Sequence, residues 1–186
     1  RRMDRGHRRR EVDRAVRAHA LGDFSDLLLQ ISRDPAMLIY LDSVSNRKAH
    51  PNENYAREIM ELFCLGEGMY TEQDIRELAR CFTGWEIKRE RYRFNRYQHD
   101  SGTKTVLGVR GVESGEEAIG VVTEHPAAPR FLARKLFQFF VMDEPGPTDE
   151  LLVPITRQLS DDRMNIGPTV QRILGSNLFF SPLARA

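Results

Sequence analysis

The stretch His50-Pro51-Asn52-Glu53-Asn54-Tyr55-Ala56-Arg57-Glu58-Ile59-Met60-Glu61-Leu62 reads as the start of an amphipathic helix, and it decides the fold class. Wound as an α-helix, Asn54, Arg57, Glu58 and Glu61 gather on a polar side about 100° wide, while Tyr55, Ile59, Leu62 and Phe63 turn to the other side. Pro51 restarts the chain after a polar loop over 42–50, and Gly66 and Gly68 stop the helix, which is expected over 52–65. Outward in both directions the same period recurs. Thr71-Glu72-Gln73-Asp74 resembles a capping box with Asp74 where Glu or Gln is usual, and Ile75, Leu78, Ala79 and Phe82 follow at helical spacing up to Gly84-Trp85. Asp34-Pro35 is a helix-start signal ahead of Met37, Leu38 and Leu41. Before it, Leu27, Leu28 and Ile31 mark an apolar face that Ser25 is placed to cap, and Val12, Val16 and Ala20 suggest a helix over 11–20 broken by Gly22.

Downstream, the character changes at Glu86. Aromatic and polar residues alternate imperfectly from Tyr92 to Tyr97, and Thr105-Val106-Leu107-Gly108 is β-prone, so a small β-hairpin or extended loop is expected near residues 92–108. Helices are expected again over 116–123, 127–141, 148–160 and 168–177. The fold class is therefore mainly α: a single multi-helix domain over 18–183, preceded by a basic stretch over 1–17 that reads as a disordered or truncated start.

A chain of 186 residues buries one substantial core, and a 40% hydrophobic, 30% charged composition suits a globular protein and not a disordered one. No apolar run approaches the roughly 20 residues that span a bilayer, so no transmembrane segment is expected. Residues 1–20 hold eight arginines against three acids, although the net charge is only +1. No aromatic residue is interleaved with those arginines before Phe24, so no nucleic-acid partner is expected. Cys64 and Cys81 lack Cys-x-x-Cys spacing and are expected as buried free thiols, with a single disulfide open only if their helices pack side by side. GxSxG, P-loop, GxGxxG and HExxH patterns are all absent, which argues against the common hydrolase, nucleotide-binding and zinc-protease classes.

Three readings compete for the polar side of the 52–65 helix. It is a solvated face with an Arg57–Glu61 pair one turn apart; or a buried network in which Asn54, Arg57, Glu58 and Glu61 tie helices together; or a functional site. In the last case two carboxylates one turn apart hold a hard divalent cation, or act as general acid and base, with His50 as a further ligand or proton carrier. His99-Asp100-Ser101-Gly102-Thr103-Lys104 is a second cluster. Its local signature is that of a turn, yet His beside Asp also suits metal or proton-transfer chemistry, and Gly102 would let the backbone approach a ligand. His125-Pro126 precedes a helix and reads as a capping or packing residue.

Together these strings are specific. His50 to Leu65, Tyr70-Thr71-Glu72-Gln73-Asp74, Ala79-Arg80-Cys81-Phe82-Thr83-Gly84-Trp85 and His99-Asp100, with Asp34-Pro35-Ala36-Met37-Leu38 and the His125–Phe140 stretch, resemble the bacterial family called domain of unknown function 1800, over about residues 18–181. The resemblance implies a longer, largely helical bacterial protein, often exported, and so periplasmic or secreted in full-length form. It also implies a sulfatase-like partner protein, because such proteins are often encoded nearby. Members carry a Trp-x-x-His-Phe-like segment upstream; here the arginine-rich stretch stands instead, so the chain is expected to be a C-terminal portion, and a site needing that upstream His would be incomplete.

Asn52, Glu53, Asn54, Arg57, Glu58, Glu61, His99 and Asp100 match the family's signature, which weighs against a plain solvated face. The leading expectation is an extracytoplasmic helical domain with a polar site built from Asn54, Arg57, Glu58 and Glu61, joined by His99 and Asp100. If it is an enzyme, metal-assisted hydrolysis of an ester or glycan-like substrate fits these residue types best. Glu58, Glu61, His99 and Asp100 would be catalytic, Glu58 and Glu61 would hold a divalent cation, and His50, Asn52, Glu53, Asn54, Arg57 and Lys104 would bind ligand or support the network. The rival is a non-catalytic structural module, binding protein or polysaccharide, whose polar stripe is a buried ion network.

Overall fold

A computed structural model describes residues 16–144 and 146–181. The basic stretch over 1–15, with the first half of the helix expected over 11–20, lies outside the described residues, and residues 16–19 are helical. Helices α1 (Phe24–Arg33) and α2 (Pro35–Tyr40) lead through a short 3-10 turn (Ser43–Ser45) to α3 (Asn54–Glu58), which runs on as a π-helical segment (Ile59–Cys64). Helix α4 (Glu72–Cys81) precedes two hairpins, β1 (Trp85–Lys88) with β2 (Arg91–Phe94) and β3 (Thr105–Val106) with β4 (Val109–Arg110). Helices α5 (Gly115–Thr123), α6 (Ala128–Phe140), α7 (Asp149–Asp161) and α8 (Ile166–Leu174) follow. The chain is mainly α with small antiparallel hairpins. No helix among the described residues is long and apolar enough to cross a membrane.

Side-chain caps set most of the helix starts. Asp34 accepts from the Ala36 amide with Pro35 in the first turn of α2, and Thr71 and Asp74 form both halves of a capping box on α4. Ser114 and Asn165 cap α5 and α8 in the same way. The cap of α1 is Asp23, whose carboxylate accepts from the Asp26 amide, rather than the expected Ser25. A carboxylate one position before the first helical residue reaches the free amides that Ser25, already inside the helix, cannot.

The expected 52–65 helix is not α throughout. Leu65 donates to the carbonyl of Met60, five residues back, at 2.9 Å, and Gly66 then leaves the helix in a left-handed conformation at φ +81°. The extended region also differs: it is two hairpins flanking a loop at 95–104, and the first begins at Trp85, which had looked like the end of a helix. Its two-residue turn, Arg89-Glu90, has both residues at positive φ, the geometry that twists with the strands, although neither is the usual Asn or Gly.

The α3–π segment is central. It packs against α4 on one side and against α5 and α6 on others, while α6 lies along α7 and α7 along α8. Tyr55, Ala56, Ile59, Met60 and Cys64 are buried from this segment, with Ile75, Leu78, Ala79 and Phe82 facing them. Edge-to-face ring contacts run from Tyr55 to Phe82 (5.1 Å), Phe82 to Trp85 (5.0 Å) and Trp85 to Tyr92 (5.2 Å), carrying the core under the first hairpin. Ile59 has no exposed surface. Ile59→Ala is therefore expected to lower unfolding free energy by about 2–5 kcal/mol through lost contacts and an unfilled cavity, measured by denaturant titration; an unchanged midpoint would remove this segment from the centre of the core.

Candidate functional site

The signature begins with a polar joint. Asn46 is buried, 2% exposed, and its amide donates to the carbonyl of Ala79 at 2.8 Å while its side-chain oxygen accepts from the Asn52 amide at 3.0 Å. The Asn52 side chain accepts from the Asn54 amide at 3.0 Å, opening α3, and donates to Ser45 Oγ at 2.8 Å. Asn52 thus fixes the loop before α3 to the helix start. Asn54 itself is exposed, and so is His50, whose recorded bonds are backbone bonds to Arg47.

Arg57 does not pair with Glu61. Its guanidinium makes a two-pronged contact with Glu72 at the first residue of α4, at 2.8 and 2.9 Å, and approaches Glu53 at 3.4 Å. Planar donors matched to a carboxylate at the end of a neighbouring helix win over a single contact one turn away. The hydrogen bond from Arg57 holds the Glu72 carboxyl below its ordinary range. Glu61 instead accepts from the Tyr70 hydroxyl at 3.1 Å, and burial aided by that carboxylate pushes the Tyr70 phenol up to about 12. Glu58 is half-buried, and its carboxylate has no hydrogen bond or ion pair among the described residues.

The His99–Lys104 loop is clamped to the other end of α4. Arg80 donates from Nε to Asp100 at 2.7 Å, from Nη1 to Glu77 at 2.9 Å and to the Thr103 carbonyl at 3.3 Å. Glu77 and Asp74, one and two turns earlier on the same face, accept from the backbone amides of Thr105 (3.1 Å) and Leu107 (2.8 Å). Thr83 accepts from the Asp100 amide at 2.8 Å. The two ring nitrogens of His99 lie 2.8 Å from the Thr83 carbonyl and 2.9 Å from the Glu113 carbonyl. Lys104, only 1% exposed, donates to that same Glu113 carbonyl at 3.2 Å. Gly102 does allow a close approach, but of protein: a Cβ there would stand 2.7 Å from Arg80 Nη2.

The ten expected residues therefore do not converge. Glu72 and Arg80 sit eight residues apart on α4, about 12 Å along its axis, so the Arg57 joint and the His99–Asp100 joint hold opposite ends of one helix. Asn46, Glu72, Asp74, Glu77, Arg80 and Thr83 complete these joints. In the sequence Asp74 read only as a capping residue, Glu72, Arg80 and Thr83 only as members of the signature strings, and the spacing of three between Asp74, Glu77 and Arg80 was the available signal. Among the described residues no group of three or more His, Cys, Asp and Glu side chains stands close enough to hold a metal ion. Cys64 and Cys81 are both free and buried, and burial pushes both thiols upward. Helix α6 starts without a side-chain cap; His125 bonds locally in the turn before it, its Nδ1 accepting from the Ala127 amide at 3.2 Å. It also lines a cleft of about 670 Å³, with Asp23, Glu124 and Arg163, which none of the ten residues reaches.

Against known families, residues 3–186 match the family described as a protein of unknown function, DUF1800. The chain belongs to the DUF1800 family. The match begins ahead of residue 18, where the resemblance was expected to start, and so takes in most of the arginine-rich stretch. No curated protein and no solved structure matches the chain.

In this DUF1800 chain, Arg80 holds the Asp100 carboxyl below the ordinary carboxylate range. For Asp74, burial pushes upward, but bonds from the Thr71 hydroxyl and the Thr71 and Leu107 amides outweigh it and the net direction is down. A depressed carboxylate contributes stability above its unfolded value, and that contribution is lost as pH falls through the folded value. Thermal midpoints should therefore drop as pH falls below about 4. Asp100→Asn should melt lower than wild type at neutral pH and lose less on acidification; superimposable melting curves at neutral pH would refute the clamp.

Proposed function

We propose that this chain is a non-catalytic, extracytoplasmic bacterial module whose polar signature fastens helices and loops together, and that it works by presenting surface to a protein or polysaccharide partner. One observation carries this reading: the polar groups at both ends of α4 are matched to each other and to backbone, above all through the Arg80 fork to Asp100, Glu77 and Thr103. A general base must present a ring nitrogen to the substrate proton, and both nitrogens of His99 point at backbone carbonyl oxygens of the protein itself. The bacterial, extracytoplasmic setting and a sulfatase-like partner rest on the family resemblance of the signature strings.

Hydrolysis assisted by a divalent cation is the second reading, and one observation favours it: the half-buried Glu58 carboxylate has no partner among the described residues. If a cation were held by Glu58 and Glu61, it would lower the pKa of a bound water. The two readings part at the bench. Under the structural reading, Arg80→Met lowers stability by about 1–3 kcal/mol by leaving two carboxylates unmatched, while Glu58→Gln and Glu61→Gln change neither the melt nor a calorimetric titration with Mg²⁺, Ca²⁺ or Zn²⁺. Saturable cation binding by wild type that Glu58→Gln abolishes without unfolding would replace it with the hydrolytic one.

A further inference from the structure

The ribbon β1–β2 sorts its side chains by parity. Trp85, Ile87, Tyr92 and Phe94 share one face, where Trp85 meets Tyr92 at 5.2 Å and Phe94 meets the His99 ring at 5.1 Å, both edge to face. Glu86, Lys88, Arg91 and Arg93 share the other face. Glu86 is matched on that face by Arg93 at 3.4 Å and by the Asn95 amide at 2.9 Å. Lys88 and Arg91 are direct cross-strand partners, both exposed, and neither has an acidic partner among the described residues. Like charges set directly opposite one another destabilise a ribbon.

Charge accumulates around that pair. The turn adds Arg89, and Arg96 beyond β2 lies over the Tyr97 ring at 5.6 Å instead of on a carboxylate. Between residues 86 and 99, five Lys and Arg stand against Glu86 and Glu90. The loop carrying exposed Arg47 and Lys48 is bonded beside the same ribbon, the Lys48 backbone amide donating to the Gln98 carbonyl at 2.9 Å and the Gly84 amide to the Asn46 carbonyl at 3.1 Å. Other arginines find acids, as Arg57 finds Glu72 and Arg80 finds Asp100, while exposed Arg110 and Arg157 stand singly and have none among the described residues.

We infer that this face of the β1–β2 ribbon docks an acidic polysaccharide, whose carboxylates or sulfates supply the counter-charges that Lys88 and Arg91 lack. The parity of the ribbon selects the class. Single-stranded nucleic acid is held by cations together with aromatic platforms for its bases, whereas here Tyr92 and Phe94 turn to the opposite face and are engaged by Trp85 and His99. A polymer that offers anions without planar bases matches a face on which Lys88 and Arg91 share the ribbon with no aromatic side chain; of the exposed rings nearby, Phe94 is on the opposite face and Tyr97 lies under Arg96. This names a partner class for the binding role proposed above, but on a surface separate from the Arg80 joint, so either reading can fail alone.

The test measures binding of the full chain to labelled heparin and to polygalacturonate across a salt series, with single-stranded DNA alongside. Wild type should bind at least one of the two polysaccharides, with log affinity falling linearly in log salt as counterions are released. Lys88→Gln/Arg91→Gln should weaken that binding about ten-fold and flatten the salt slope, while melting at or above the wild-type temperature because a like-charge contact is gone. Arg89→Gln/Arg96→Gln, outside the paired register, should weaken it in the same direction. Arg110→Gln/Arg157→Gln, two exposed cations elsewhere, should leave it within about two-fold. Preference for heparin marks a sulfated partner, and preference for polygalacturonate a carboxylated one. No binding to either polymer, an equal loss in the Arg110/Arg157 control, or tighter binding to the DNA would overturn the inference.

Discussion

The Arg80 guanidinium stands where the end of α4, the loop at 95–104 and the second hairpin meet, and its contacts fix how they meet. Its planar donors reach Asp100, Glu77 and the Thr103 carbonyl at once, a geometry that a lysine ammonium on a flexible stem does not reproduce. Asp100 in turn accepts from the Gly102 amide at 2.8 Å, and Glu77 from Thr105. A ten-residue loop without regular structure is thereby tied to α4 by side chains. Remove the cation, and two carboxylates and the backbone they orient lose their match together.

The same constraint, that polar groups withdrawn from water must be bonded, accounts for the residues that look least at home. Asn46 is enclosed because it bonds the end of α4 and the start of α3 in one step. Lys104 buries its stem and keeps its ammonium on the Glu113 carbonyl, where His99 also points. Each of these side chains stands in for secondary structure where the chain has none.

A signature that reads as one site is therefore two joints. Helix α4 separates them: Arg57 engages its first residue and Asp100 its last turn, and the tightly packed core of Ile75, Leu78 and Ala79 lies between. Helix length, and not the chemistry of any one residue, keeps Glu58 and Glu61 from joining His99. The first hairpin shows the opposite outcome. Its apolar face completes the core through Trp85 and Tyr92, and its other face carries Lys88 and Arg91, which no acid among the described residues neutralises.

Much of the architecture was legible because it is local. The Thr71–Asp74 capping box and the Asp34-Pro35 start involve residues at most three apart, and the amphipathic period of the helices depends only on neighbours in sequence. The π-helical turn at Ile59–Cys64 was not legible, since one wider turn barely disturbs a six-residue apolar pattern. Nor was the turn at Arg89-Glu90, which adopts a left-handed geometry without the Asn or Gly that announces it. The candidate residues were picked out by their polar side chains, but the partners that the fold gives them lie far away in sequence: Glu72 is 15 residues from Arg57, and Asp100 is 20 from Arg80. By itself the sequence determined which segments are helical and which residues carry charge, because both follow from side-chain chemistry at short range. Only the tertiary structure decided which charge meets which, because that depends on where the packing of α4 against α3 and the loops brings distant carboxylates within reach of a guanidinium.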